Sequence, residues 1–145
     1  MERMRIAIAC DHGGLNIKKA ILKDLDLIGL EVLDFGTDTT DSVDYPVYAK
    51  KVCAAIQENK ADYGILCCGT GIGMSMVANK QKGIRAAVVT DDFCAEMTRR
   101  HNNANVLCLG GRVLTEEQAV RLTNIFLSTY FEGGRHQKRI DMMED

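Results

Sequence analysis

Residues 63–80 read YGILCCGTGIGMSMVANK. Tyr63-Gly64-Ile65-Leu66-Cys67-Cys68 is almost continuously apolar, the pattern of a parallel strand covered on both faces. Gly69, Gly71 and Gly73 follow, and from Met74 to Lys80 the spacing suits a helix. A strand that turns through glycines into a helix gathers backbone N–H groups and the positive end of the helix dipole at one point, where anions are held. Such a field also stabilises a thiolate beside it. Cys68, last in the strand, stands at that point. Adjacent strand residues face opposite ways, so one of Cys67 and Cys68 packs in the core and the other looks toward the loop. Strand-end position favours Cys68 for the second role.

Working outward, strands and helices alternate along the chain. Arg5 to Cys10 forms a strand, followed by a helix with Ile17, Ala20, Ile21, Leu25 and Ile28 at helical spacing. Glu31 to Asp34 is a second strand, and a polar loop leads to Pro46, which suits the first turn of a helix. That helix carries Val52, Ala55 and Ile56 and ends near Asn59; the helix after the third strand stops at Gly83. Arg85 to Thr90 is a fourth strand, and Asp91 or Asp92 caps a helix that runs to Arg100. Val106 to Leu109 is a fifth, and Thr115 with Gln118 makes a capping box for the next helix. A basic helix over 134–143 ends the chain. Five strands joined by crossover helices predict an α/β fold: one parallel sheet sandwiched between helices, as a single domain over residues 1–145. Ligands of such sheets bind at the carboxyl ends of the strands. That rule selects Asp11-His12, Cys68 to Gly73, and Gly110-Gly111-Arg112.

Composition narrows the classes. The chain has 145 residues, a formal net charge of -2 and 26% charged residues, which gives no nucleic-acid footprint. Six cysteines without a CxxC pair suggest neither a zinc site nor a disulfide scaffold. Those at 10, 53, 67, 94 and 108 read as small core hydrophobes, and free thiols at this density suit a reducing compartment. No signal peptide or transmembrane span is evident, so a cytoplasmic location without membrane association is expected.

The remaining candidates each have a plainer reading. The glycines at 69, 71 and 73 approximate a dinucleotide fingerprint, and Asp91 lies near the offset of a ribose-binding acid. Yet that fingerprint belongs after a first strand, and a smaller anion fits better. A Cys-x5-Arg phosphatase loop is excluded, because Met74 stands where its arginine belongs. His12 and His101 sit at element ends, as solvated caps or as crevice groups; His101 with Asn102 is expected at the carboxyl edge of the sheet. The run from His101 to Asn105 otherwise reads as a helix cap and turn. Arg112 after a Gly-Gly suits an anion. Arg135 and Arg139, four apart, share one helical face, as a binding pair or a solubilising tail.

Taken together, ACDHGG after the first strand, Asp44-Tyr45-Pro46, CGTGIGMSMVANK, RHNNANVLCLGGR and EGGRHQKR resemble the ribose-5-phosphate isomerase B family, in order from about Arg5 to Arg139. That family includes galactose-6-phosphate and allose-6-phosphate isomerases. The resemblance implies a Rossmann-like αβα sandwich, a homodimer or dimer of dimers, a phosphosugar substrate, and no metal or other cofactor. It implies that Cys68 is the catalytic base and His101 the ring-opening acid–base. Asp11, His12, Tyr45, Thr70 and Asn102 match sugar-contacting or ring-opening positions, and Gly69, Gly71, Ile72 and Gly73 the anion hole. Arg112, Arg135 and Arg139 match phosphate-binding positions, the last two in a neighbouring subunit's site. One branch of the family has a glutamate in the loop and no cysteine base; here Ile72 occupies that place and Cys68 is present.

The implied reaction is the pentose phosphate pathway's interconversion of ribose 5-phosphate and ribulose 5-phosphate, with a six-carbon phosphosugar as the alternative. Opening the furanose and moving a proton from C2 to C1 through an enediolate calls for an acid–base, a base and preorganised N–H donors. A nucleotide-binding module and a non-catalytic phosphosugar-binding protein are the competing classes.

Overall fold

The computed structural model describes residues 3–144. Five parallel strands are present: β1 (Arg5–Cys10), β2 (Glu31–Asp34), β3 (Tyr63–Cys68), β4 (Ala86–Val88) and β5 (Val106–Gly110). They lie in the order β2-β1-β3-β5-β4. The chain runs left from β1 to β2 and then returns to the right of β1, so the strand order switches direction between β1 and β3. Six α-helices connect or follow them: α1 (Leu15–Leu27), α2 (Tyr45–Gln57), α3 (Ile72–Ala78), α4 (Asp92–Arg100), α5 (Glu116–Ser128) and α6 (Arg135–Asp141). No helix among the described residues is long and apolar enough to cross a membrane.

The period-2 alternation of the strands divides the interior in two. Ile6, Ile8, Cys10, Ile65, Cys67, Leu107 and Leu109 face Ile17, Ile21 and Leu25 of α1 and Leu122 and Phe126 of α5. Ala7, Ala9, Leu66, Cys68, Val106 and Cys108 face Val52 and Cys53 of α2 and Met74 and Ala78 of α3. The small alanines on this second face admit α2 closely: a Cβ on Gly64 would lie 2.5 Å from Val52 Cγ1.

The local signals hold where the chemistry is local. Asp91 accepts from the Cys94 N–H at 2.8 Å, and Thr115 and Gln118 form the reciprocal capping box. Pro46 stands in the first turn of α2. Other expectations need correcting. β4 is only Ala86–Val88, because this edge strand has a partner on one side alone. Helix α3 ends at Ala78, well before Gly83, where the Asn79 side chain bonds the Ala86 backbone N–H and C=O at 2.8 and 2.9 Å. Ile28 is exposed beyond the end of α1, and Cys94 lies on the exposed face of α4 rather than in the core. The basic terminal helix spans Arg135–Asp141 and packs on its own chain more than its polar sequence suggests, through buried His136 and Ile140.

One buried charge has a structural role. Lys18 is 1% exposed, and its Nζ donates to Asp34 Oδ1 and the Thr37 carbonyl, both at 2.8 Å. It thereby ties α1 to the loop after β2. Burial opposes the charge, but hydrogen bonding to Asp34 and the nearby carboxylates outweigh it and hold the ammonium above its ordinary 10.5. Lys18→Met should therefore cost about 2 kcal/mol of stability, less than a fully buried pair because Asp34 can hydrate. A raised lysine stabilises fully below its unfolded value and less as pH rises through the folded one. Urea unfolding of both proteins should show a gap that persists through neutral pH and narrows only above 10.5. No gap at neutral pH would mean the loop is held by other contacts.

Candidate active site

The carboxyl ends of β1, β3 and β5 carry three glycine-containing turns packed backbone against backbone. After β1, Asp11 is buried and its Oδ1 accepts from the Gly13 N–H at 2.9 Å, turning the chain into a 3₁₀ turn over His12–Gly14. A Cβ on Gly14 would lie 2.3 Å from the Cys67 carbonyl carbon, and one on Gly111 2.3 Å from the Gly13 carbonyl oxygen. Only glycine permits those approaches. The Gly111 N–H donates to the Cys68 carbonyl at 2.7 Å and the Arg112 N–H to the Gly69 carbonyl at 3.0 Å, so the β5 turn is stitched to the β3 loop. Asn16 Nδ2 reaches the Gly111 carbonyl at 3.4 Å from the start of α1.

Cys68 stands where these turns meet. Its side chain belongs to the face of α2 and α3, whereas Cys67 points to the opposite core. The Gly71 N–H, at φ +82, donates to Cys68 Sγ at 3.1 Å. The glycine loop thus turns an N–H directly onto the sulfur. Burial pushes the Cys67 and Cys108 thiols well above the ordinary range, and Cys10 and Cys53 up to about 11, which leaves these four as protonated packing groups.

Other predicted residues ring the same point. Thr70 Oγ1 accepts from the Ile72 N–H at 3.2 Å, and the Ile72 side chain is exposed. The Tyr45 ring lies across the loop: a Cβ on Gly73 would be 2.8 Å from its Cε1. His12 Nδ1 accepts from the Val43 N–H at 3.3 Å, which leaves Nε2 to carry the proton of a neutral ring. A Cβ on Gly69 would lie 3.2 Å from Arg112 Nη1, so the guanidinium covers the loop. Asp11, His12, Tyr45, Cys68, Gly69, Thr70, Gly71, Ile72, Gly73 and Arg112 therefore share the carboxyl edge. Asp91 does not serve as a ribose-binding acid; its carboxylate caps α4.

His101, Asn102, Arg135 and Arg139 do not join them. The expectation that His101 and Asn102 sit at the carboxyl edge is corrected by the topology: α4 runs back from the end of β4, so the segment after α4 lies at the starts of the strands. Asn105, four residues after His101, donates its N–H to the Arg85 carbonyl before β4 and accepts from the Gly64 N–H at the start of β3. The His101 ring stacks on His136 of α6, with centroids 4.3 Å apart, which brings the helix of Arg135 and Arg139 to this edge too. At about 3.3 Å per residue, β3 separates this edge from Cys68 by roughly 17 Å. Glu132 and His136 also lie at this edge, although the sequence singled out neither as a site residue.

Known proteins resemble this chain along nearly its whole length. The family model described as Ribose/Galactose Isomerase matches residues 6–143. Ribose-5-phosphate isomerase B of Escherichia coli is 44% identical over 137 residues, covering 94% of this chain and 92% of that protein. The crystal structure of a ribose 5-phosphate isomerase from Thermotoga maritima superposes with a TM-score of 0.96 at 48% identity, over 99% of each chain. Ribose-5-phosphate isomerase B from Mycoplasma genitalium, solved with bound ribulose 5-phosphate, superposes with a TM-score of 0.94 at 43% identity, over 99% of this chain and 96% of that one. A cysteine set against a glycine loop at the strand-order switch, on a sheet superposable over its whole length with these isomerases, has one consistent explanation: this chain belongs to the ribose/galactose isomerase family.

Proposed function

We propose that this protein interconverts D-ribose 5-phosphate and D-ribulose 5-phosphate, with Cys68 as the base that moves the C2 proton. The observation that carries the reading is the thiol at the end of β3, held by the Gly71 N–H within a loop closed by the turns after β1 and β5. Relatives named as ribose-5-phosphate isomerases, one of them holding ribulose 5-phosphate, favour a five-carbon over a six-carbon substrate.

In this mechanism His101 shuttles the proton between the ring oxygen and the anomeric hydroxyl, with Asp11, Thr70 and Asn102 contacting the sugar. Cys68 removes the proton from C2 and returns it to C1, and backbone N–H groups of the 69–73 loop stabilise the enediolate oxygen. His12, Arg112, Arg135 and Arg139 hold the phosphate, which supplies binding energy remote from the bond changes. The two edges of one subunit are too far apart for His101, Asn102, Arg135 and Arg139 to meet that subunit's Cys68. The reading therefore requires a second copy that brings its amino edge to the first copy's carboxyl edge, as in a homodimer or a dimer of dimers.

The direct test is ketose formation from ribose 5-phosphate, measured beside allose 6-phosphate and galactose 6-phosphate. The highest kcat/KM is expected for the pentose; a higher value for either hexose would overturn the substrate assignment, and no turnover of any would overturn the enzyme. A second expectation concerns His101. His101→Asn should slow the cyclic sugar roughly 100-fold but act much less on an open-chain analogue, in single-turnover assays of both. Equal loss on the two would make His101 a structural residue.

A further inference from the structure

The amino-edge cluster around His101 has a chemistry that the isomerase reaction leaves unused. His101 Nε2 lies 3.8 Å and His136 Nε2 3.4 Å from the same oxygen, Glu132 Oε1. One ligand atom from each residue falls within 4.8 Å of the others. Both N···O separations exceed the roughly 2.8 Å of a charge-assisted hydrogen bond. They are close to the edge of about 3.4 Å that separates two ligands around a tetrahedral zinc with bonds near 2.1 Å.

The three side chains project from separately anchored backbone. The His101 N–H caps α4 on the Met97 carbonyl at 2.8 Å, the Glu132 N–H bonds the Arg100 carbonyl at 3.1 Å, and the His136 N–H bonds the Gly133 carbonyl at 3.2 Å. Arg100 Nη1 approaches the other carboxylate oxygen of Glu132 at 3.6 Å and leaves Oε1 to the imidazoles. The rings stack within 13° of parallel, which leaves their in-plane lone pairs side by side, so a shared ion requires one ring to turn about its Cβ–Cγ bond. In the single chain the His136 side chain is 8% exposed while those of His101 and Glu132 are 40% and 42% exposed. The cluster thus has a floor and one side that opens toward the proposed subunit junction, where a water or a substrate oxygen can be the fourth ligand. Two imidazoles and one carboxylate suit zinc and its first-row neighbours rather than magnesium or calcium.

We infer that His101, Glu132 and His136 form a site for a divalent transition metal of the zinc class, and that its occupation withdraws His101 from sugar-ring opening. The inhibitory half rests on the role proposed for His101; the binding half stands on the cluster alone. The metal-free, full-length protein in its native assembly should bind one Zn²⁺ per chain in isothermal titration. Co²⁺ in its place should give visible d–d bands without the near-ultraviolet charge transfer of a cobalt–thiolate bond, which separates this site from the free cysteines. Glu132→Gln and His136→Gln should each weaken binding about tenfold or more. Should the buried His136 variant fail to fold, Glu132→Gln, at a half-exposed position, decides. Initial rates on ribose 5-phosphate should fall along the same Zn²⁺ curve.

No binding, binding unmoved by Glu132→Gln, or a thiolate band overturns the site. Binding as described with undiminished turnover overturns the inhibition. Metal-free protein that turns over no pentose phosphate counts against the isomerase reading, while the titrations still judge the site.

Discussion

Replacing Cys68 by alanine is expected to lower kcat for ribose 5-phosphate by roughly 10³-fold, the scale set by losing a positioned base. The change deletes one atom beyond Cβ at a position packed against α2 and α3, and it strands the Gly71 N–H that donates to the sulfur. The stability cost of that lost acceptor is about 1 kcal/mol, too small to unfold the chain. Substrate binding should survive, because the phosphate contacts lie elsewhere. Cys68→Ser separates the two effects: it restores an acceptor for the Gly71 N–H, yet an alcohol is far too weak a base at neutral pH, so turnover should stay low. Cys67→Ala provides the contrast. Its side chain faces the opposite core, with no contact to the loop's ligand side, so it should lose about 1 kcal/mol of stability and keep near-normal turnover. Steady-state kinetics, substrate titration and urea unfolding of the three variants make the test. Near-normal turnover in Cys68→Ala, or equal losses in both alanine variants, would remove Cys68 from its role as base.

The second large effect is a loss that mixing should reverse. Arg135→Ala/Arg139→Ala removes two exposed guanidinium groups whose charge-assisted contacts to phosphate are worth roughly 1.5–3 kcal/mol each, so kcat/KM should fall at least about 100-fold. Cys68→Ala is inactive for a different reason, at the opposite edge of the sheet. If each site takes its cysteine from one chain and its arginines from another, a mixed dimer contains one site with both. Chains mixed one to one, unfolded and refolded together should then regain about a quarter of wild-type activity, for random pairing into two-fold dimers. Hybrids that form, as judged by differently tagged chains, but stay inactive would show that the arginines serve their own subunit. The shared site would then fail, and so would the placement of His101 in it.

Much of this protein is legible in its sequence, for reasons that are local. The apolar run at residues 63–68 and the glycines after it announce a buried parallel strand and a close-packed turn, because strand burial and backbone approach depend on the side chains present in that stretch. Thr115 with Gln118, Asp91 and Pro46 mark helix starts because capping bonds span only three or four residues. Asp11, Cys68 and Arg112 converge by a topological rule, since consecutive parallel strands joined by helices place their carboxyl ends on one edge. What the sequence could not decide depends on path rather than pattern. Strand-end position favours Cys68 over Cys67 for the loop, but the face that each takes is set by which helices cover β3. His101 reads as a crevice residue by composition, but α4 carries it back to the far edge, where it meets Glu132 and His136 across more than thirty residues of chain. The separation of Cys68 from His101 by the length of a strand is a distance between edges, and no spacing along the chain encodes it. Only the folded sheet shows that one subunit holds half of the proposed site at each end.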